Sequence, residues 1–162
     1  MVITTGGKAN VGILTGSEWV LCHSERVAGF TGNIKNNAPD IKIIEIIKNN
    51  DDDLESYLVT KQLLKSHPEI DALFFAAAGV NGACRAVTEL GLGNKLTIIS
   101  YDTPHTTRKL VQDGIITATI SQQPFTQGSK PLDILLEYVG MGIKPEKEYF
   151  YTKIEIKIKE NL

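Results

Sequence analysis

Short apolar runs alternate with longer segments of helical spacing along most of this chain. Val11-Gly12-Ile13-Leu14-Thr15-Gly16 reads as a buried strand that ends in a turn. From about residue 24 to 36, Val27, Phe30 and Ile34 recur along one stripe, which is the period of an amphipathic helix. Pro39 stops it. Residues 41–47 are rich in isoleucine and predict a second strand. Asn49-Asn50-Asp51-Asp52-Asp53 follows. As a helix N-cap with first-turn acids it complements the helix dipole, and this is preferred to a metal site at the strand's end. Leu54, Leu58, Lys61, Leu64 and Lys65 carry the next helix to His67-Pro68.

The uninterrupted apolar run 72–77 fits a central parallel strand. Gly79-Val80-Asn81-Gly82 opens a helix through Ala83, Ala86, Val87 and Leu90, closed by Gly91 and Gly93. Residues 96–101 form strand four and deliver Asp102 at its carboxyl end, before a short helix near 106–112. Residues 116–120 form strand five and deliver Ser121-Gln122-Gln123-Pro124, before a longer helix over 125–139. Residues 149–158 alternate, with Ile154, Ile156 and Ile158 on one face and Lys153, Glu155, Lys157 and Lys159 on the other. That is the pattern of a half-exposed edge strand.

Repeated strand-then-helix units with short connections predict an α/β domain, a doubly wound three-layer (αβα) and mainly parallel sheet. The length of 162 residues fits one such domain. A net charge of −2 gives no footing for counterion-releasing contact with nucleic acid through this segment. No apolar run reaches the roughly 20 residues of a membrane helix. No secretory signal is visible at the start, and the two cysteines, Cys22 and Cys84, lack metal-like spacing and are expected as buried or half-buried thiols. These features together favour a cytoplasmic protein.

In such sheets ligands bind beyond the carboxyl ends of the strands, near the change in strand order. Gly16-Ser17-Glu18-Trp19, residues 49–53, Ala77-Ala78-Gly79, Asp102-Thr103-Pro104-His105 and Gln122-Gln123-Pro124 occupy that rim. One acid, one amide and one aromatic suit a polyol: the carboxylate accepts hydroxyl protons, the amide donates and accepts, and the ring covers an apolar sugar face. An enzyme is disfavoured. No glycine-rich phosphate loop follows the first strand. Cys22-His23 are adjacent and diverge, and the histidines lack metal-ligand spacing. A receiver-type phospho-acceptor at Asp102 would need an acidic pair after the first strand, where only Glu18 stands.

Four stretches in order resemble the periplasmic-binding-protein-like (type I) fold shared by LacI/GalR transcription regulators and sugar solute-binding proteins. They are Ile13-Leu14-Thr15-Gly16, Ser24-Glu25-Arg26-Val27-Ala28-Gly29-Phe30, Ile99-Ser100-Tyr101-Asp102 and residues 118–124. No one of them is specific, but their order and spacing match the carboxyl-terminal lobe over nearly the whole chain. The resemblance implies ligand binding and no catalytic residue, metal or cofactor. It makes Arg26 a sugar-binding arginine rather than a solvated helix residue, and Asp102 a grip on two hydroxyls rather than a helix cap. Gln122 stands at the crossover to the other lobe, as ligand contact or as hinge. Trp19 is a stacking platform or the cover of a helix start. Where many relatives have an asparagine-aspartate pair after strand three, this chain has Ala76-Ala77-Ala78-Gly79, so a polar contact is lost and a bulkier or less hydroxylated group is admitted.

The resemblance further implies that residues 1–162 are one lobe. A DNA-binding helix-turn-helix and an amino-terminal lobe would belong to other parts of a regulator. The regulator reading is preferred over a transporter component, with a sugar effector, a homodimer, and DNA contacted only through the absent headpiece. In relatives the helix at 125–139 packs on the other lobe. Its stripe of Leu132, Leu135, Leu136 and Val139 is therefore expected to repack on the domain or to be buried by a neighbouring chain.

Overall fold

The computed structural model describes all residues, 1–162. In chain order the elements are α1 (Val2–Thr5), β1 (Ala9–Thr15), α2 (Leu21–Asn37), β2 (Ile41–Lys48), α3 (Asp53–Ser66), β3 (Ala72–Phe75), α4 (Val80–Glu89), β4 (Thr97–Tyr101), α5 (His105–Gln112), β5 (Ala118–Ser121), α6 (Pro124–Met141) and β6 (Glu155–Lys157). The strands form one six-stranded sheet in the order β2-β1-β3-β4-β5-β6. Every pair is parallel except β5 with β6. This is the expected doubly wound α/β sheet. Strand order reverses between β1 and β3, which places the switch point there.

Period-two alternation divides the core into two layers. On one face Leu14, Leu73, Phe75 and Ile98 pack with Leu63 and Leu64 of α3, Ala83 and Val87 of α4, and Val111 of α5. On the other, Val11, Ile13, Phe74 and Ile99 meet Val27, Phe30 and Ile34 of α2. Phe30 stacks on Phe74 at 4.1 Å between ring centroids, and Tyr101 meets Phe74 edge-on at 6.1 Å. Three helices cover the first face and α2 the second, so the layers are unequal.

Two expectations change. The edge strand over 149–158 contracts to Glu155–Lys157, paired with β5 through Ser121–Glu155, Ile120–Ile156 and Thr119–Lys157. Ile154, Ile156 and Ile158 are all exposed, while Glu155 and Lys157 are half-buried, so the apolar face of this strand points out. Nothing covers that side of the edge strand. Nor does α6 fold back on the domain: none of its residues is buried, and Leu132, Leu135, Leu136 and Val139 are exposed. No helix is long and apolar enough to cross a membrane.

The tightest helix contact is α3 against α4. Asp52 caps α3, its side chain accepting from the Glu55 amide at 2.7 Å, as the acidic run predicts. Asp53 then accepts from the Gly82 amide at 3.1 Å, in the first turn of α4. A Cβ on Gly82 would fall on the Asp53 carbonyl oxygen. Gly82→Ala is therefore expected to cost about 1–3 kcal/mol through backbone displacement, despite a helix-propensity gain of about 1 kcal/mol. Urea unfolding checks this, and an unchanged midpoint would contradict the close α3–α4 approach.

Candidate functional site: the carboxyl-end rim

The rim is built around the end of β3. This segment turns into α4 through Ala76-Ala77-Ala78-Gly79, which has no polar side chain, so its backbone groups need partners from elsewhere. Arg26 of α2 donates from Nη1 to the Ala76 carbonyl at 2.9 Å. Asn49, fully buried beyond β2, donates from Nδ2 to the Ala78 carbonyl at 2.8 Å and to Ser56 Oγ at 3.1 Å. Asp51 Oδ1 accepts from the Ala78 amide at 2.9 Å and lies 3.6 Å from His23 Nε2. Glycine is required twice for this closeness. A Cβ on Gly16 would meet the His23 ring at 2.7 Å, and one on Gly79 would meet Asn49 Nδ2 at 2.7 Å, with Gly79 at φ 80°.

The second half of the rim is polar and more open. Arg26 lies over the Tyr101 ring, its guanidinium carbon 4.0 Å from the centroid. The next residue is Asp102, whose Oδ1 accepts from Gln122 Nε2 at 2.9 Å. Thr119 fixes that turn by donating to the Asp102 carbonyl at 2.6 Å. Burial pushes the Tyr101 phenol above its ordinary range, the Arg26 cation opposes this and the Asp102 carboxylate adds to it. The phenol therefore stays neutral, and its ring is held between Arg26 and Phe74. All four non-glycine residues with positive φ lie on this rim: Asn50 (49°), Asp51 (60°), Asp102 (65°) and Gln123 (54°). Such backbone strain concentrates where a fold serves a ligand.

Arg26, Asp102 and Gln122 are thus brought together, by way of Tyr101. Trp19 is not: it is 90% exposed and covers no helix start. Sequence reasoning did not single out Tyr101, Asn49, Asp51 or His23, although residues 49–53 were placed on the rim. Cys22 is exposed rather than buried or half-buried, because consecutive helix positions diverge and it is His23 that turns inward. No group of three or more His, Cys, Asp or Glu side chains is placed to hold a metal.

The crossover out of the rim is cross-stitched. Gln127 Nε2 donates to the Gln122 carbonyl at 3.0 Å and to Thr152 Oγ1 at 3.1 Å, and the Lys153 amide donates to Gln123 Oε1 at 3.1 Å. Beyond it, α6 and residues 145–154 border a concavity of about 1220 Å³, lined by Pro131, Ile134, Leu135, Tyr138, Phe150 and Ile154 among others. Only Gln122 belongs to both this groove and the polar rim. The groove's apolar lining marks it as a packing surface, and the convergent polar groups mark the rim as the candidate site.

A family model described as the periplasmic binding protein domain matches residues 1–143. The chain belongs to that family. No curated protein matches it. Among solved structures, this periplasmic-binding-protein domain is similar to GanP, a glucose-galactose binding protein from Geobacillus stearothermophilus, at 28% identity and a TM-score of 0.91, over 99% of this chain and 57% of that one. It is similar to the sugar-binding protein of a sugar ABC transporter from Bacillus halodurans at 28% identity and a TM-score of 0.84, over 99% and 58%. It also matches an ABC transporter solute-binding protein from Burkholderia graminis in complex with D-arabinose, at 26% identity and a TM-score of 0.93, over 99% and 56%. The periplasmic-binding-protein domain described here spans a little over half the length of each of these three chains.

Two outcomes are expected from the rim's geometry. Asn49→Ala removes a fully buried amide, leaving the buried Ser56 hydroxyl and the part-buried Ala78 carbonyl without that partner, and should lower stability by about 1–3 kcal/mol in chemical denaturation. An unchanged midpoint would show that the Asn49 tie does not hold the β3 end. Separately, burial, with the Asp53 charge adding, pushes the Cys84 thiol up to about 12. At pH 8 it remains protonated, so a disulfide reagent should modify Cys22 alone in the folded protein and both thiols only after unfolding.

Proposed function

We propose that this chain is the carboxyl-terminal lobe of a two-lobed sugar-binding protein, the solute-binding component of an ABC transporter. The observation that carries the reading is the convergence of Arg26, Asp102 and Gln122 at the carboxyl-end rim, with Gln122 bonded to Asp102 at 2.9 Å and Arg26 stacked on Tyr101. With Nη1 held by Ala76, Arg26 still presents Nη2 and Nε. Asp102 keeps one carboxylate oxygen beyond its bond to Gln122, and Gln122 keeps its carbonyl. Together they donate to and accept from adjacent hydroxyls, the recognition chemistry of a sugar. The residues bind and orient; none is assigned a chemical step.

The regulator reading preferred from sequence gives way to the transport reading. The similar structures named above are sugar-binding and solute-binding proteins, and two are described as belonging to ABC transporters. The expectations of a DNA-binding headpiece, a homodimer and a cytoplasmic location belong to the regulator reading and go with it; transport places the protein outside the cytoplasmic membrane. In this mechanism the sugar is gripped from below by the rim and enclosed from above by the second lobe, with the stitched crossover at Gln123 and Gln127 as the hinge.

Calorimetry on the two-lobed protein tests this with D-galactose, D-glucose and D-arabinose. Arg26→Ala and Asp102→Ala are each expected to weaken binding by about 10–100-fold, since each removes charged hydrogen bonds worth about 1.5–3 kcal/mol. Unchanged affinity in both variants would sink the site.

A further inference from the structure

Asp102 sits on the rim in a backbone conformation that it would not adopt alone, and the residues after it say why. The chain has to turn from β4 into α5 within Asp102-Thr103-Pro104. Pro104 has φ fixed at −60° and pushes Thr103 toward extended backbone. The reversal therefore falls on Asp102, which takes φ 65°. That left-handed conformation is disfavoured for any residue with a Cβ, so it persists only where its surroundings hold it.

The end of β5 does the holding. The Asp102 amide donates to the Ile120 carbonyl at 2.8 Å, the Asp102 carbonyl accepts from Thr119 Oγ1 at 2.6 Å, and Asp102 Oδ1 accepts from Gln122 Nε2 at 2.9 Å. The first bond continues the parallel pairing of β4 with β5 and needs no particular side chain. The third reaches only the carboxylate. The bond from Thr119 is the one in which a side chain grips the strained backbone itself. Thr119 is fully buried, at a strand position where valine would match its shape and its β-branched preference. A hydroxyl buried there is costly unless it is bonded, and its bond goes to Asp102. Ser100, its neighbour in register on β4, is as deeply buried, but its hydroxyl has no partner.

We propose that Thr119 is a positioning residue for ligand binding. By holding the Asp102 carbonyl it keeps that residue in its left-handed turn, which aims the carboxylate along the rim, keeps Oδ1 on Gln122 and leaves Oδ2 for a sugar hydroxyl. Thr119 is buried and touches no ligand; it acts through Asp102. Without its hydroxyl the Asp102 backbone relaxes toward an ordinary conformation, the Cβ swings, and Asp102 and Gln122 lose their alignment together. The inference rests on the sugar-binding reading and adds to that site a residue beneath its surface.

The test is calorimetry on the two-lobed protein with D-galactose, D-glucose and D-arabinose, using whichever binds. Thr119→Val is expected to weaken binding by about tenfold, and Thr119→Ser, which keeps the hydroxyl, to stay within about threefold of the natural protein. Thr119→Ala removes the same hydroxyl and is read in parallel, so a folding defect in one variant leaves the other to decide. Ser100→Ala removes a buried hydroxyl that holds nothing and should leave affinity unchanged. Added to Asp102→Ala, Thr119→Val should bring no further loss beyond about twofold, because its effect passes through Asp102. Natural affinity in both Thr119→Val and Thr119→Ala would overturn the proposal and leave sugar binding in place. So would an equal loss in Ser100→Ala, which marks a general response of the core, or a full tenfold loss in the Asp102→Ala background. If the natural protein binds none of these sugars, the sugar reading falls and this inference falls with it.

Discussion

The end of β3 has to be hydrogen-bonded, and its own sequence cannot do it. A central parallel strand that runs into a loop of alanines and a glycine carries buried amide and carbonyl groups and no side chain to satisfy them. Arg26, Asn49 and Asp51 supply the missing partners from α2 and from the loop after β2. One requirement therefore fixes three segments at once. It draws α2 across the switch point, holds the β2–α3 loop against the sheet, and orients the guanidinium that then stacks on Tyr101. Glycine at positions 16 and 79 follows from the same closeness, since a Cβ at either would strike the side chains making these bonds.

That requirement also shapes recognition. Asn49 is spent on the end of β3, whereas Arg26 uses one nitrogen there and Asp102 and Gln122, at the ends of β4 and β5, are bonded to each other. Asp102 and Gln122 stand there with positive φ at Asp102 and at the neighbouring Gln123. The strained turns aim both side chains along the rim, and Gln123 sends the chain out into α6. The rim and the crossover thus share one short stretch, residues 122–127, where Gln122 bonds Asp102 and Gln123 and Gln127 bond the returning chain.

The unequal layers have a matching cause. α3, α4 and α5 carry apolar stripes that close over one face of the sheet, and α2 alone closes the other. α6 has a comparable stripe and leaves it in solvent, as does the isoleucine face of the strand that pairs with β5. Both surfaces lie beyond the crossover. A sheet edge with an outward apolar face and a helix with no buried residue are elements shaped for contact outside the lobe, consistent with a chain spanning a little over half of its structural relatives.

Much of this was legible in the sequence, and the reason is local. Apolar period, isoleucine-rich runs, the Asp52 cap and glycine stops are properties of a few consecutive residues, so six strands (the last shorter than expected), five helices and the doubly wound order follow from them. Asp102 and Gln122 were legible because strand ends in such a sheet must meet on one rim, and Arg26 was legible only through the family resemblance of residues 24–30. The roles of Asn49, Asp51, His23 and Tyr101 were not, since each is defined by a contact with a distant segment, as between Asn49 and Ala78 or Tyr101 and Arg26. Cys22 was expected buried or half-buried from its residue type, whereas the face of α2 that turns inward is set by contact with the sheet. The alternation at 149–158 states that one face is apolar, not what will lie against it. The sequence by itself determined the elements, their order and the rim on which chemistry gathers. Only the tertiary structure decided which polar groups on that rim are engaged in holding β3 and which are left for a ligand, because hydrogen-bond satisfaction of a buried backbone is settled between segments far apart in the chain.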